Sequence, residues 1–120
     1  PGVGNHEKYY DYLAYRMRYD LPKIYSKQSN LWFSFDFGQV HVTIFLHNIL
    51  TIMAAANAFL EQDLRQASEN PNTKWIILGV HRAFYCSDSC EFANVTNLAA
   101  QLEELVYKYK VDIVQTGHLH

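Results

Sequence analysis

Six residues, Trp75-Ile76-Ile77-Leu78-Gly79-Val80, form a nearly continuous apolar run between two segments of helical periodicity. A strand that is apolar on both faces must be covered on both, so this run is predicted to be a central strand. Before it, Ala56, Phe59, Leu60, Leu64 and Ala67 recur at three- and four-residue steps, predicting an amphipathic helix over 54–68 that Glu69-Asn70-Pro71-Asn72 stops. After it, Val95, Leu98, Ala99, Leu102, Leu105, Val106 and Tyr109 repeat the helical spacing, and Val111 to Val114 reads as a second, buried strand. Ahead of both, apolar residues fall on odd positions from Leu31 to Phe37 and on even positions from Val40 to Leu46, with Phe45 an exception and Gly38 between them. That alternation predicts a β-hairpin. Hairpin, helix, strand, helix, strand is an order that favours right-handed crossovers and a mainly parallel α/β sheet. Residues 8–19, rich in tyrosine and broken by Asp20-Leu21-Pro22, suit a short helix or irregular lid, with Tyr9, Tyr10 and Tyr12 expected to pack rather than to catalyse.

At 120 residues, 49% hydrophobic and 15% aromatic, the chain can bury the core of one domain and is not globally disordered. A net charge of −2 without a basic stripe argues against a nucleic-acid partner. The apolar stretches 49–60 and 75–80 are too short or too interrupted for a span of roughly 20 residues, so no membrane crossing is expected. The chain opens at Pro1 and closes on His120 inside a motif, so 1–120 is expected to be part of a longer catalytic domain. Two features point to an oxidising compartment. Asn94-Val95-Thr96 is a glycosylation acceptor sequon, and Cys86 and Cys90 lie in a polar loop where a disulfide could close; free thiols or partners outside the chain fit that pair equally well.

Gly117-His118-Leu119-His120 sets two histidines one residue apart after an apolar run. Alternate strand residues point the same way, so such a pair can aim two imidazoles at one ion or at two adjacent ions. Gly4-Asn5-His6-Glu7 and Gly79-Val80-His81 place asparagine or histidine just beyond strand-like stretches. Ligands gather beyond the carboxyl ends of strands in sheets of this type. A lone histidine there ordinarily caps or hydrogen bonds, and Gly-Asn is common turn chemistry. His41 and His47 lack a motif and are read as structural.

Gly-Asn-His-Glu at 4–7, Gly-Val-His-Arg at 79–82 and Gly-His-Leu-His at 117–120 together resemble the metallophosphoesterases, and more closely the purple acid phosphatases. Leu31 to Asp36, Val40-His41-Val42, Phe59 to Leu64 and Phe84-Tyr85-Cys86-Ser87 add to the likeness, which covers nearly the whole chain. The resemblance implies part of a metallophosphoesterase-type α/β fold, a β-sandwich flanked by helices with a mixed sheet containing βαβ units. It implies hydrolysis of phosphomonoesters at two metal ions, iron with zinc, manganese or a second iron, in a secreted, lysosomal or vacuolar enzyme. Two such metals activate water and clamp the oxygens that gain charge during displacement at phosphorus. By the same likeness Asn5, His81 and His118 would ligate one metal and His120 the other, while His6 would hydrogen bond to the phosphate or help protonate the leaving group.

The family's remaining ligands, two aspartates and a tyrosine on motifs of the Gly-Asp type, lie upstream of its Gly-Asn-His-Glu. No Gly-Asp dipeptide occurs in this chain, so those ligands are expected from further sequence or a companion chain. The substrate-facing histidines that some purple acid phosphatases carry after the position of His81 have no counterpart in 82–117, and Pro1-Gly2-Val3-Gly4 is two residues longer than the family's usual Pro-Gly before the asparagine. Two rivals share much of this pattern: another metallophosphoesterase, such as a phosphodiesterase or nucleotidase, and a non-catalytic protein that keeps the fold. Trp32 and the Phe84-Tyr85-Cys86 stretch favour the acid phosphatase.

Overall fold

A computed structural model describes residues 3–19, 30–45, 53–85 and 92–118, apart from the side chains of 53, 54, 92–98 and 101. The predicted hairpin is present as β1 (Phe33–Phe37) and β2 (Val40–Phe45), turning at Gly38, whose φ of +61° is open to glycine at no steric cost. Helix α2 (Met53–Glu69) leads to β3 (Trp75–Val80), and α3 (Phe92–Lys108) leads to β4 (Ile113–Thr116). The four strands lie in sequence order, β1 antiparallel to β2, then β2, β3 and β4 mutually parallel. This is the mixed α/β sheet that the element order implies, with β3 interior as expected.

Helix α2 forms where alanine, the strongest helix former, is dense. Its apolar stripe, Ala56, Leu60, Leu64 and Ala67, is buried, and the helix ends at Asn70 because the following Pro71 disfavours helical backbone before it. Helix α3 buries Ala99 and Leu102, and Tyr109 just past its end is buried too. The helix closes in a Schellman motif: Lys110 is left-handed at φ +54°, the Val111 N–H donates to the Val106 carbonyl and the Lys110 N–H to that of Tyr107. These stripes meet Ile76, Leu78 and Val80 of β3 in one core that also takes in Phe45, Trp32, Phe84 and Tyr15. Leu78 is fully buried, so Leu78→Ala would cost about 2–5 kcal/mol.

Three expectations change. Strand β4 is not buried: it lies at the sheet edge with Ile113 49% exposed, because among the described residues only β3 pairs with it. Tyr12 packs at 2% exposure, but Tyr9 and Tyr10 stand 70% and 89% exposed. They are displaced outward by a turn in which Tyr10, Asp11 and Tyr12 all adopt positive φ before α1 (Leu13–Arg18). On β2 the even, apolar residues are only half-buried, and His41, Thr43 and Phe45 form the buried face, because α2 packs there with a carboxylate, Asp63, among its apolar residues. His47, Cys86, Cys90, His120 and the segment 46–52 lie outside the described residues.

Candidate metal centre

Strand β3 ends at Val80 and β4 at Thr116, side by side in parallel register, so the residues that follow emerge at the same end of the sheet. There the Gly117 N–H donates to the His81 carbonyl at 3.0 Å, tying the two loops together. His118 next to it adopts φ +71°, a left-handed conformation that histidine visits more readily than most residues but that still costs about 1 kcal/mol or more. A third loop, the 3₁₀ turn Asn5–Lys8, brings Asn5 to the same place from far away in sequence.

The polar atoms of these three side chains converge. Asn5 Oδ1 is 2.7 Å from His81 Nε2 and 3.2 Å from His118 Nδ1, and the two ring nitrogens are 3.1 Å apart. The imidazoles meet nearly edge to face, centroids 4.9 Å apart at 75°. Two donor atoms each about 2.1 Å from one ion and at right angles stand about 3 Å apart, so this triangle fits donors sharing a metal ion. Among the described residues no group of three histidine, cysteine or acidic side chains gathers to hold a metal; the cluster is two imidazoles and an amide oxygen.

Electrostatics favour the neutral imidazole that ligation needs. Burial lowers the pKa of His81 below its usual value, and the nearby His118, Arg82 and His6 lower it further against a weaker opposing pull from Glu7. Space is made for the ring by Gly4: a Cβ there would lie 2.9 Å from His81 Cε1, a clash. The Gly4 N–H is held in turn by the Glu7 carboxylate at 2.7 Å, while the Glu7 N–H donates to the Gly4 carbonyl. Sequence reasoning gave Gly4 and Glu7 no role of their own. Their signal was the three-residue interval between a turn residue and a glutamate, the spacing of a capping box.

His6 sits in the same 3₁₀ turn as Asn5, exposed to solvent. A cleft of about 270 Å³ adjoins His81, floored by Ile44, Phe45, Gly79 and Val80 and bounded by Thr116 and Gly117. Asn94 falls in the first turn of α3, its side chain outside the described set.

Residues 2–120 match the model of the calcineurin-like phosphoesterase family. The chain belongs to the calcineurin-like phosphoesterase family. Within it, 98% of the chain aligns with acid phosphatase type 7 of Homo sapiens at 33% identity and with purple acid phosphatase 23 of Arabidopsis thaliana at 32%. The alignment with the phosphoenolpyruvate phosphatase of Allium cepa is 26% identical over the same share. The chain spans 30%, 27% and 26% of the lengths of these three relatives. The α/β fold that the motifs implied is thus the fold of a phosphoesterase family, and of the motif residues Asn5, His81 and His118 converge.

Proposed function

We propose that the full-length protein hydrolyses phosphomonoesters as an acid phosphatase, and that this chain supplies part of a dinuclear metal site. The convergence of Asn5 Oδ1, His81 Nε2 and His118 Nδ1 within 3.2 Å of one another carries the reading. Metal ions bound there, iron with zinc, manganese or a second iron, would polarise the phosphate and lower the pKa of an attacking water. Asn5, His81 and His118 would hold one ion, and His120 would ligate the other. Nitrogen and amide-oxygen donors suit such borderline metals. The aspartate and tyrosine donors would come from further sequence or from a companion chain, in keeping with relatives more than three times this chain's length.

His6, exposed next to Asn5, would hydrogen bond to the phosphate or help protonate the leaving oxygen. The half-buried Arg82 adds positive charge near His81, which favours a dianionic ester over a neutral one. A secretory setting would accord with the acceptor sequon at Asn94 and with Cys86 and Cys90, a pair that could close a disulfide. No helix among the described residues is long and apolar enough to cross a membrane.

The test is hydrolysis of chromogenic phosphate mono- and diesters by the purified full-length protein from acidic to neutral pH, with and without a chelator. Chelator-sensitive monoester hydrolysis strongest in acid is the expected result. Preference for the diester would move the assignment to a phosphodiesterase, and no turnover with full metal loading would contradict the enzyme reading.

A further inference from the structure

At the opposite end of β2 lies a second histidine cluster, one the phosphatase reading does not use. His41 is 8% exposed, and both its ring nitrogens face carboxylates: Nδ1 is 2.7 Å from Asp36 Oδ1 and Nε2 is 3.1 Å from Asp63 Oδ2. Asp36 is its directly opposed cross-strand partner on β1, and Asp63 comes from α2. Asp63 also accepts hydrogen bonds from the hydroxyls of Ser34 on β1 and Thr43 on β2, so neither hydroxyl is presented to the imidazole as a nucleophile would be.

An imidazole can donate from both nitrogens only as the doubly protonated cation. With one proton gone, a ring lone pair would face a carboxylate oxygen at hydrogen-bonding distance, a repulsive contact. We propose that Asp36, His41 and Asp63 form a proton-operated clamp that fastens β1, β2 and α2 when the imidazole holds both protons and releases its β1 arm when one is lost. The β1 arm is the one to open because the Asp36 side chain is 62% exposed and can turn to water, whereas Asp63 is 10% exposed and anchored by two hydroxyls. A cleft of about 460 Å³ bordered by Asp36, His41, Asp63 and Asn70 gives the proton its path. Acid would thus fasten β1 to β2, the strand that pairs with β3, whose carboxyl end leads to His81.

The balance of local effects agrees. Burial pulls the His41 pKa down, but hydrogen bonds to Asp63 and Asp36, together with their charges, outweigh it and leave the pKa raised. Asp36 from β1 and Asp63 from α2 are the charged groups that face the ring. A raised folded-state pKa means that the stabilisation is complete below the unfolded value of about 6.5 and is lost as pH rises through the folded value.

The deciding experiment is an NMR titration of the full-length protein labelled with ¹⁵N-histidine, the His41 signal assigned by its disappearance in His41→Gln. We expect a midpoint above about 6.5, and a roughly tenfold loss of proton affinity in Asp36→Asn, which removes the exposed charge and leaves the core intact. Should His41→Gln fail to fold, the signal displaced in Asp36→Asn identifies the ring. A wild-type midpoint at or below 6.5, or no histidine shifted by Asp36→Asn, would overturn the clamp. Thermal melts at pH 5.5 and 8 give the second reading: the wild type should lose more stability on the rise than Asp36→Asn, and equal losses would also overturn it.

Discussion

The two ends of the sheet each hold a histidine, and their partners give those histidines opposite characters. Beyond the carboxyl ends of β3 and β4, His81 meets a second imidazole and an amide oxygen, and its pKa is lowered by burial and by neighbouring positive charge. Near the amino end of β2, His41 meets two carboxylates and its pKa is raised despite burial. Burial opposes protonation at both ends; the sign of the neighbouring charge decides the outcome. One end favours a ring lone pair, and the other favours the proton that lets both ring nitrogens donate. A histidine's role in this chain is therefore assigned by what it faces, not by its exposure.

Asp63→Ala should break the amino end most severely. It strips a buried imidazole of the buried one of its two carboxylates and leaves the Ser34 and Thr43 hydroxyls without their acceptor, so urea denaturation should show a loss of about 3–5 kcal/mol. The carboxyl end would break first in function rather than in stability: His118→Ala should lower phosphomonoester hydrolysis by about 100-fold or more while the denaturation midpoint changes little. If both variants lost stability equally and kept the same activity, the two ends would not be distinct devices.

Much of this division was legible in the sequence. The helices over 53–69 and 92–108 follow apolar steps of three and four, and the hairpin and interior β3 follow from alternation and an unbroken apolar run. Asn5, His81 and His118, which converge, were legible as motif text, because turn and strand-end residues carry their own local pattern. The amino-end cluster was missed because Asp36, His41 and Asp63 meet only through tertiary packing. A signal did exist: Asp63 sits inside the stripe formed by Leu60, Leu64 and Ala67, and a charge on the buried face of a helix requires a partner. The exposure of β4 and of Tyr9 and Tyr10 left no such mark, since edge position and the left-handed turn at 10–12 depend on the fold as a whole.

Smaller perturbations sharpen the contrast. Gly4→Ala pushes a methyl group toward His81 Cε1 and should weaken metal affinity by about tenfold with folding preserved, read by titration of the metal-free protein. Its carboxyl-end effect should leave the His41 titration untouched. Asp36→Asn is the mildest change, because its carboxylate is largely solvated: about 1 kcal/mol in acid, shrinking as pH rises through the raised folded-state pKa of His41.

Asn5, His81 and His118 are proposed to hold a metal ion, and counting metals decides the matter. Elemental mass spectrometry of the full-length protein beside His81→Ala should find two metals per chain in the first and one in the second, with the variant still folded. Equal metal content in the two proteins would contradict the assignment and leave the three side chains as a hydrogen-bonded brace between loops.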